Sequence, residues 1–172
     1  MLKPQDIVVL LKLVAEEEGW TFDSLANQLS MSVSAVHRSL SRAAAAGLYE
    51  PADKQVAAQA LLEFLVHSVK YLFPASMGGE ARGIPTAWAA PPLSDLIASA
   101  GKGAPVWPDP RGSVRGIAME PIHPKAPGAA QKDPLLGEML ALVDAVRLGG
   151  ARQSDIAVSE LASRLKVEPE NR

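Results

Sequence analysis

The sequence predicts a mainly α protein of the α+β class, and three observations predict it. Apolar residues recur at spacings of three and four over most of residues 1–73 and 133–167. Between them, residues 74–132 hold ten prolines and eight glycines, too many for long helices but suited to turns and short strands. Within the first part, Thr21 to Leu48, TFDSLANQLSMSVSAVHRSLSRAAAAGL, sets two short helical patterns around a three-residue break, a helix-turn-helix arrangement. The expected organisation is a helix-turn-helix unit and a following helix over 1–73, a Pro/Gly-rich ordered subdomain with a short β-hairpin over 74–132, and a C-terminal helical pair over 133–172.

The first helix is expected over Lys3 to Glu18. Pro4 is tolerated in a first turn that has no intrahelical N–H to lose, Asp6 faces the positive end of the helix dipole, and Ile7, Leu10, Leu11 and Val14 form a buried stripe. Glu16, Glu17 and Glu18 close it in a solvated run before Gly19, and Trp20 fills the small core. In the second helix, with Thr21 as N-cap, Leu25, Ala26 and Leu29 share a face; in the third, Val33, Val36, Leu40 and Ala43 do. Ser32 is placed for its hydroxyl to accept from the free amide of Ser34 or Ala35 and so start the third helix abruptly after Ser30 and Met31. Gly47 supplies the left-handed residue that stops it. Two amphipathic faces this close in sequence pack on each other.

The outward face of the third helix carries Ser34, Ala35, His37, Arg38, Ser41 and Arg42, with no acid between Ser24 and Ala46. A helix entering the major groove needs a slim N-terminal end, so that its backbone nears the base edges, and donors further along for guanine or phosphate. Ser34 and Ala35 give the slimness; Arg38 and Arg42 give the donors. Thr21, whose helix start offers free amides to a phosphate, and Ser32 complete this part of the candidate DNA-binding set. A purely structural helical hairpin has the same pattern, because such units also occur in proteins that never touch DNA.

In the run LANQLSMSVSAVHRSLSRAAAAGL the chain resembles the winged helix-turn-helix regulators of bacteria, of the broad MarR-like kind, over about its first third. The resemblance implies that Val33 to Ala46 is a recognition helix, that Leu48 and Tyr49 begin a strand, and that a β-hairpin wing follows and touches the backbone or minor groove. Only Glu50 to Val56, EPADKQV, is available for it, so an abbreviated wing is expected, with Lys54 as its phosphate ligand. The segments VHSVKYLFP, GIPTAWAAPPL, PVWPDPRGSVRG and LLGEMLALVDAVRLGGAR are similar to bacterial proteins that begin with this unit. That likeness suggests a regulator and, as an alternative function, an antitoxin that neutralises a nucleotidyltransferase-type toxin and autoregulates its operon; no toxin-binding residue carries over.

Val56 to Tyr71 reads as one helix burying Leu61, Leu62, Leu65 and Val69, and VKYLF as its turn towards strand before Pro74. His67, alone on this apolar helix, reads as a core or interface histidine before a metal ligand or general base. Ile84, Trp88, Leu93, Trp107, Ile117 and Met119 make residues 74–132 too apolar for a solvated linker. A short helix is expected over Pro92 to Ser99, burying Leu93, Leu96 and Ile97, and a hairpin pairing APVW with VRGIAME around DPRGS. Either Trp88 and Trp107 are core plugs beside solvated Arg82, Arg111 and Arg115, or these aromatic and arginine residues line an effector pocket or partner groove. Arg111 and Arg115 equally fit a displaced wing touching DNA. Asp133 caps a helix starting at Pro134, with Leu136, Met139, Leu140, Val143 and Val146 on one face; Gly149 and Gly150 break it. A last helix over Arg152 to Val167 presents Ile156, Ala157, Leu161 and Leu165 before a frayed tail, and the pair serves either dimerisation or internal packing.

Composition narrows the function classes. A 48% hydrophobic content suffices for a core, and the absence of cysteine removes disulfides and thiolate metal sites. No apolar run is long enough to cross a bilayer and the first residues lack a secretory pattern, so the expected location is cytoplasmic, with no membrane partner. His37, His67 and His123 stand in no zinc-ligand spacing, and no GxSxG, Walker or dinucleotide fingerprint is present. Asp109 and Glu120, brought together across the hairpin, would be the one carboxylate pair to consider, so no catalysis, metal or cofactor is expected. A net charge of -2 argues against nucleic acid; residues 1–75 alone hold six basic and eight acidic residues. The acid-free stretch around His37, Arg38 and Arg42 offsets this locally, with few phosphate contacts per chain. The expected function is therefore a sequence-specific double-stranded DNA-binding transcriptional regulator, a repressor, that acts as a homodimer across two half-sites.

Overall fold

Helix α1 (Pro4–Ala15) is apolar on nearly every side, IVVLL followed by Lys12 and Leu13, and such a helix belongs inside. A computed structural model, which describes residues 1–16, 19–98 and 103–169, places it between α3 (Val33–Ala45) and α8 (Pro134–Leu148). The stripe expected on α1 was too narrow: Val8, Val9 and Leu13 are buried with Ile7, Leu10 and Leu11, because α8 covers the side that a free three-helix unit would expose. The helix ends at Ala15 with Glu16 in extended geometry, short of the expected Glu18; Glu17 and Glu18 lie outside the described residues. Lys12 is buried too, its Nζ lying 2.7 Å from Glu16 Oε1 and 2.7 Å from Asp133 Oδ2.

Helix α2 (Phe22–Leu29) and α3 are joined by a turn in which Ser30 takes the left-handed conformation (φ 55). Thr21 Oγ1 accepts from Ser24 N, and Ser32 Oγ accepts from Ala35 N at 3.1 Å, so both helices start on the hydroxyls the sequence marks. Gly47 (φ +78) stops α3, with Leu48 N donating to Ala43 O. Leu25, Ala26 and Leu29 face Val36, Leu40 and Ala43, as expected. Val33, however, is 37% exposed at the first position of α3, and Ser39 takes a buried place on the inner face, its hydroxyl accepting from Gln5 Nε2 at 2.8 Å. Strands β1 (Tyr49–Glu50) and β2 (Gln55–Val56) follow as an antiparallel pair of two residues each, closed by a four-residue turn.

The helix expected as one piece over Val56 to Tyr71 is two: α4 (Ala58–His67) and α5 (Val69–Leu72), broken where Ser68 leaves helical geometry. Residues 69–72 are helical, not strand, because Val69 is drawn into the core beside Leu61, Leu62 and Leu65, and burial overrides local β preference. Of the core or interface place expected for His67, the core is not the one it takes: the residue is exposed.

Residues 74–132 hold a strand without a sequence expectation, β3 (Met77–Pro85), a single 3-10 turn at Ala87–Ala89, α6 (Leu93–Leu96), β4 (Pro105–Pro108), β5 (Val114–Met119) and α7 (Ala126–Lys132). The expected β4–β5 hairpin is not formed. Both strands run antiparallel to β3, Pro108 and Val114 each opposite Gly83, and they are parallel to one another, with Pro105 paired to Ile117. The chain travels along one edge of β3, crosses it at Gly83 and continues along the other edge in the same direction. That crossing is tight: a Cβ on Gly112 would run into the backbone of Gly83, and one on Gly83 into the carbonyl oxygen of Trp107. The helix expected over Pro92 to Ser99 is one turn, which buries Leu93 and leaves Leu96 exposed; Ser99 lies outside the described residues.

Asp133 caps α8 by accepting from Leu135 N and Leu136 N, and α9 (Ala151–Leu165) packs on α8 and α4 through Ala157, Val158, Leu161, Ala162 and Leu165. The C-terminal pair thus uses its apolar faces inside the chain. One continuous core joins Leu25 and Val36 to Leu61, Trp107, Leu142 and Leu161, across all three parts of the sequence.

A buried polar cluster fastens the strands to that core. Asp144 Oδ2 accepts from Thr86 Oγ1 at 2.7 Å and from Trp107 Nε1 at 2.8 Å, and its Oδ1 from Arg147 Nη1 at 2.7 Å. Arg147 also donates to the carbonyls of Phe73 and Pro74. Burial pushes the Asp144 carboxyl up, while the indole and guanidinium, which only donate, match its ionised form. YLFP, IPTAW, PVWP and LVDAVR, far apart in sequence, meet at this point.

Candidate nucleic-acid interface

The outer face of α3 is built by elimination. The inner positions Val36, Ser39, Leu40 and Ala43 are buried, which leaves Ser34, His37, Arg38 and Ser41 exposed. Ala35 is half-buried, its carbonyl accepting from Gln5 Nε2 at 3.4 Å, so it stands at the margin of this face. Arg38 keeps its guanidinium in solvent, with one long donation from Nη1 to Ser34 Oγ at 3.4 Å. Thr21 and Ser32 are exposed, but each hydroxyl is engaged as a helix cap.

Among the described residues Arg42, unlike Arg38, is ion-paired within the chain. Its Nε donates to Asp6 Oδ2 at 2.9 Å and its Nη2 to Asp6 Oδ1 at 2.8 Å, and the Asp6 side chain has no solvent exposure. A carboxylate taken out of water needs a partner, and Arg42 is that partner. The hydrogen bonds Arg42 donates to Asp6 raise the Arg42 pKa further, against the opposing effect of burial. Arg42 therefore braces α3 against α1.

Lys54 is exposed in the β1–β2 turn with φ 53, and its Nζ lies 5.6 Å from the centroid of the Trp20 ring. Between this hairpin and α3 runs a cleft of about 370 Å³ lined in part by Phe22, His37, Ser41, Tyr49, Pro51 and Lys54. Its floor holds a stack: the His37 and Phe22 rings lie 3.7 Å apart at 12°, and Trp20 meets Phe22 edge-on at 5.4 Å. Trp20, half-buried, packs against the edge of the core as well as against Phe22.

Two residues here escaped the sequence reading. Phe22 opens α2 only as the residue after a cap, and nothing in its spacing from His37 announces a stack. Lys132, at the end of α7, sets its Nζ 3.4 Å from Ser30 Oγ in the α2–α3 turn and adds a cation beside the candidate face. The other candidate sites do not assemble. Asp109 lies at the Gly83 end of β3, held below the ordinary carboxylate range by Arg111, while Glu120 follows Met119 at the Met77 end. Clefts beside Trp88 and Trp107 are lined by neither Arg82, Arg111 nor Arg115, all three of which are exposed. Among the described residues no group of three or more His, Cys, Asp or Glu is placed to hold a metal, and no helix is long and apolar enough to cross a membrane.

No protein family, curated protein or solved structure matches this chain, so function has to be read from the geometry alone.

Proposed function

We propose that the chain is a cytoplasmic, sequence-specific double-stranded DNA-binding protein that represses transcription, with α2, its turn and α3 as a helix-turn-helix and β1–β2 as an abbreviated wing. The observation that carries this is the outer face of α3: Ser34, His37, Arg38 and Ser41 are exposed together, without an acid between Ser24 and Ala46. Arg38 reaches a guanine edge, Ser34 gives the slim approach, and Lys54 and Lys132 hold phosphates on either side. Arg42 has no part in the contact. With about three cations per chain, two copies on two half-sites supply the contacts one copy lacks.

Selection from random duplexes at two salt concentrations tests the reading. Four phosphate contacts in a dimer, Lys54 and Lys132 from each chain, imply a loss of about 10²-fold in affinity between 50 and 200 mM salt. An enriched sequence with that dependence is the expected result; recovery of no preferred sequence overturns it. A second reading, a module that holds a partner protein such as a toxin, is favoured by Tyr71 and Leu72, 73% and 59% exposed at the end of α5. It predicts a stable complex with a neighbouring gene product on co-purification.

A further inference from the structure

We infer that His37 is a second residue of α3, beside Arg38, that discriminates between bases, and that Phe22 is the positioning residue that aims it, an inference that rests on the DNA-binding reading above. An exposed histidine on a helix surface ordinarily samples several rotamers, and fixing it on binding costs affinity. His37 does not have that freedom. Its ring lies 3.7 Å from the Phe22 ring and within 12° of parallel to it, so one face of the imidazole is covered before any ligand arrives.

Phe22 is itself held. It is the first residue of α2, directly after the Thr21–Ser24 reciprocal cap, where Thr21 N donates to Ser24 Oγ at 2.8 Å and Ser24 N to Thr21 Oγ1 at 3.0 Å. Trp20 packs against it edge-on, at 80° between the ring planes, and Lys54 from the hairpin lies over Trp20. The row Lys54, Trp20, Phe22, His37 therefore ties the hairpin to α3 and fixes where the imidazole stands in the cleft between them.

Arg38 contrasts with this. Among the described residues its guanidinium has only the 3.4 Å contact with Ser34 to restrain it, and its five donors on a long stem serve phosphate or guanine from many approaches. A restrained imidazole is more selective. In either protonation state it keeps an N–H, which pairs with the N7 of a purine in the major groove; a pyrimidine offers no N7 at that place. The ligand feature read by His37 is thus a purine at one position of each half-site.

The test uses the full chain and duplexes carrying each base in turn at every position of a selected site, with affinity read by fluorescence anisotropy and folding by thermal denaturation. Phe22→Leu, which keeps apolar volume but loses the stack, and His37→Ala flatten the same purine preference by about five- to tenfold, and the double variant is no flatter than either. Phe22→Tyr restores the preference. His37→Phe keeps a ring on Phe22 but has no N–H; it remains folded and loses the preference, which keeps the test decisive if Phe22→Leu unfolds. Retention of the purine preference by His37→Phe or His37→Ala overturns the inference while leaving DNA binding standing. A Phe22→Leu protein that stays folded and binds all sequences more weakly by one common factor overturns the role given to Phe22. A wild-type chain with no duplex preference removes the DNA-binding reading and this inference together.

Discussion

Replacing Arg42 by Met separates the two roles that the sequence offers for this arginine. The stem is kept and the guanidinium lost, so Asp6, whose side chain has no solvent exposure, retains only the donation from Lys3 N at 2.8 Å. Breaking one side of a fully buried ion pair costs about 3–5 kcal/mol. Arg42 keeps 20% of its side chain in water, which places the expected loss lower, at about 2–3 kcal/mol. For a chain of this length that is a fall of roughly 4–12 °C in Tm. Asp6→Asn in the Arg42→Met background should recover much of it, because the orphaned charge is what costs most. The assays are urea or thermal denaturation of the four proteins of that cycle, with DNA affinity measured at several salt concentrations for the folded ones. Unchanged stability in Arg42→Met, together with a salt slope lower by about 0.9, would mean that Arg42 binds a phosphate and that its pairing with Asp6 is incidental.

Three further outcomes are expected. Arg38→Ala should cost about 1–3 kcal/mol at one base position, whereas Lys54→Ala should weaken every sequence alike and lower the salt slope by about one; equal losses on cognate and scrambled duplexes for Arg38→Ala would refute its assignment. Trp107→Phe removes one of three donors to Asp144 and should destabilise by about 1–3 kcal/mol, with a near-neutral result in denaturation showing that the cluster has other support. Burial opposes charge at Asp133, but Lys12 and the amides of Leu135 and Leu136 outweigh it and hold Asp133 below its ordinary range; Lys12 is raised by the same partnership and Glu16 against its own burial. A lowered acid contributes stability above about pH 4 that is lost as pH falls through its folded value, and a raised lysine contributes stability below about pH 10.5 that is lost above it. Stability–pH curves of wild type and Asp133→Asn should converge at both limbs, and parallel curves would exclude the linkage.

How much of this was legible in the sequence depended on range. Thr21, Ser32, Gly47 and Asp133 announce helix ends because a cap is decided within three residues, and all four perform as their types predict. The breaks at Gly149 and Gly150 were equally plain. Strand β3 was not, since MGGEARGIP has no regular alternation and its partners lie 21 to 42 residues away. The sense of β4 and β5 followed from it, because a five-residue loop looks like a hairpin turn until the strand it crosses is known. Helix α7 hid among prolines and glycines, Pro127 sitting harmlessly in its first turn. At the candidate interface, exposure of Ser34, His37, Arg38 and Ser41 was legible from helical period alone, whereas the capture of Arg42 by Asp6 and of His37 by Phe22 depended on contacts 36 and 15 residues distant.

Those long-range contacts bear on how a chain of net charge -2 would hold DNA. The same α1 that neutralises its buried acid with Arg42 also fixes α3 through Gln5, which donates to Ser39 Oγ and the Ala35 carbonyl. Helix α3 is therefore tied at three successive points to a helix enclosed on its other side by α8, and its outward side chains project from a braced surface. On the DNA-binding reading, the fold exchanges a phosphate ligand for rigidity. Counterion release contributes less, and base contacts made by pre-positioned side chains contribute more. Such a protein should bind non-specific duplex poorly for its size, and should lose more discrimination from Gln5→Ala, which touches no DNA but frees α3, than its distance from the interface would suggest. Undiminished discrimination in a folded Gln5→Ala protein would show that the brace is structural only.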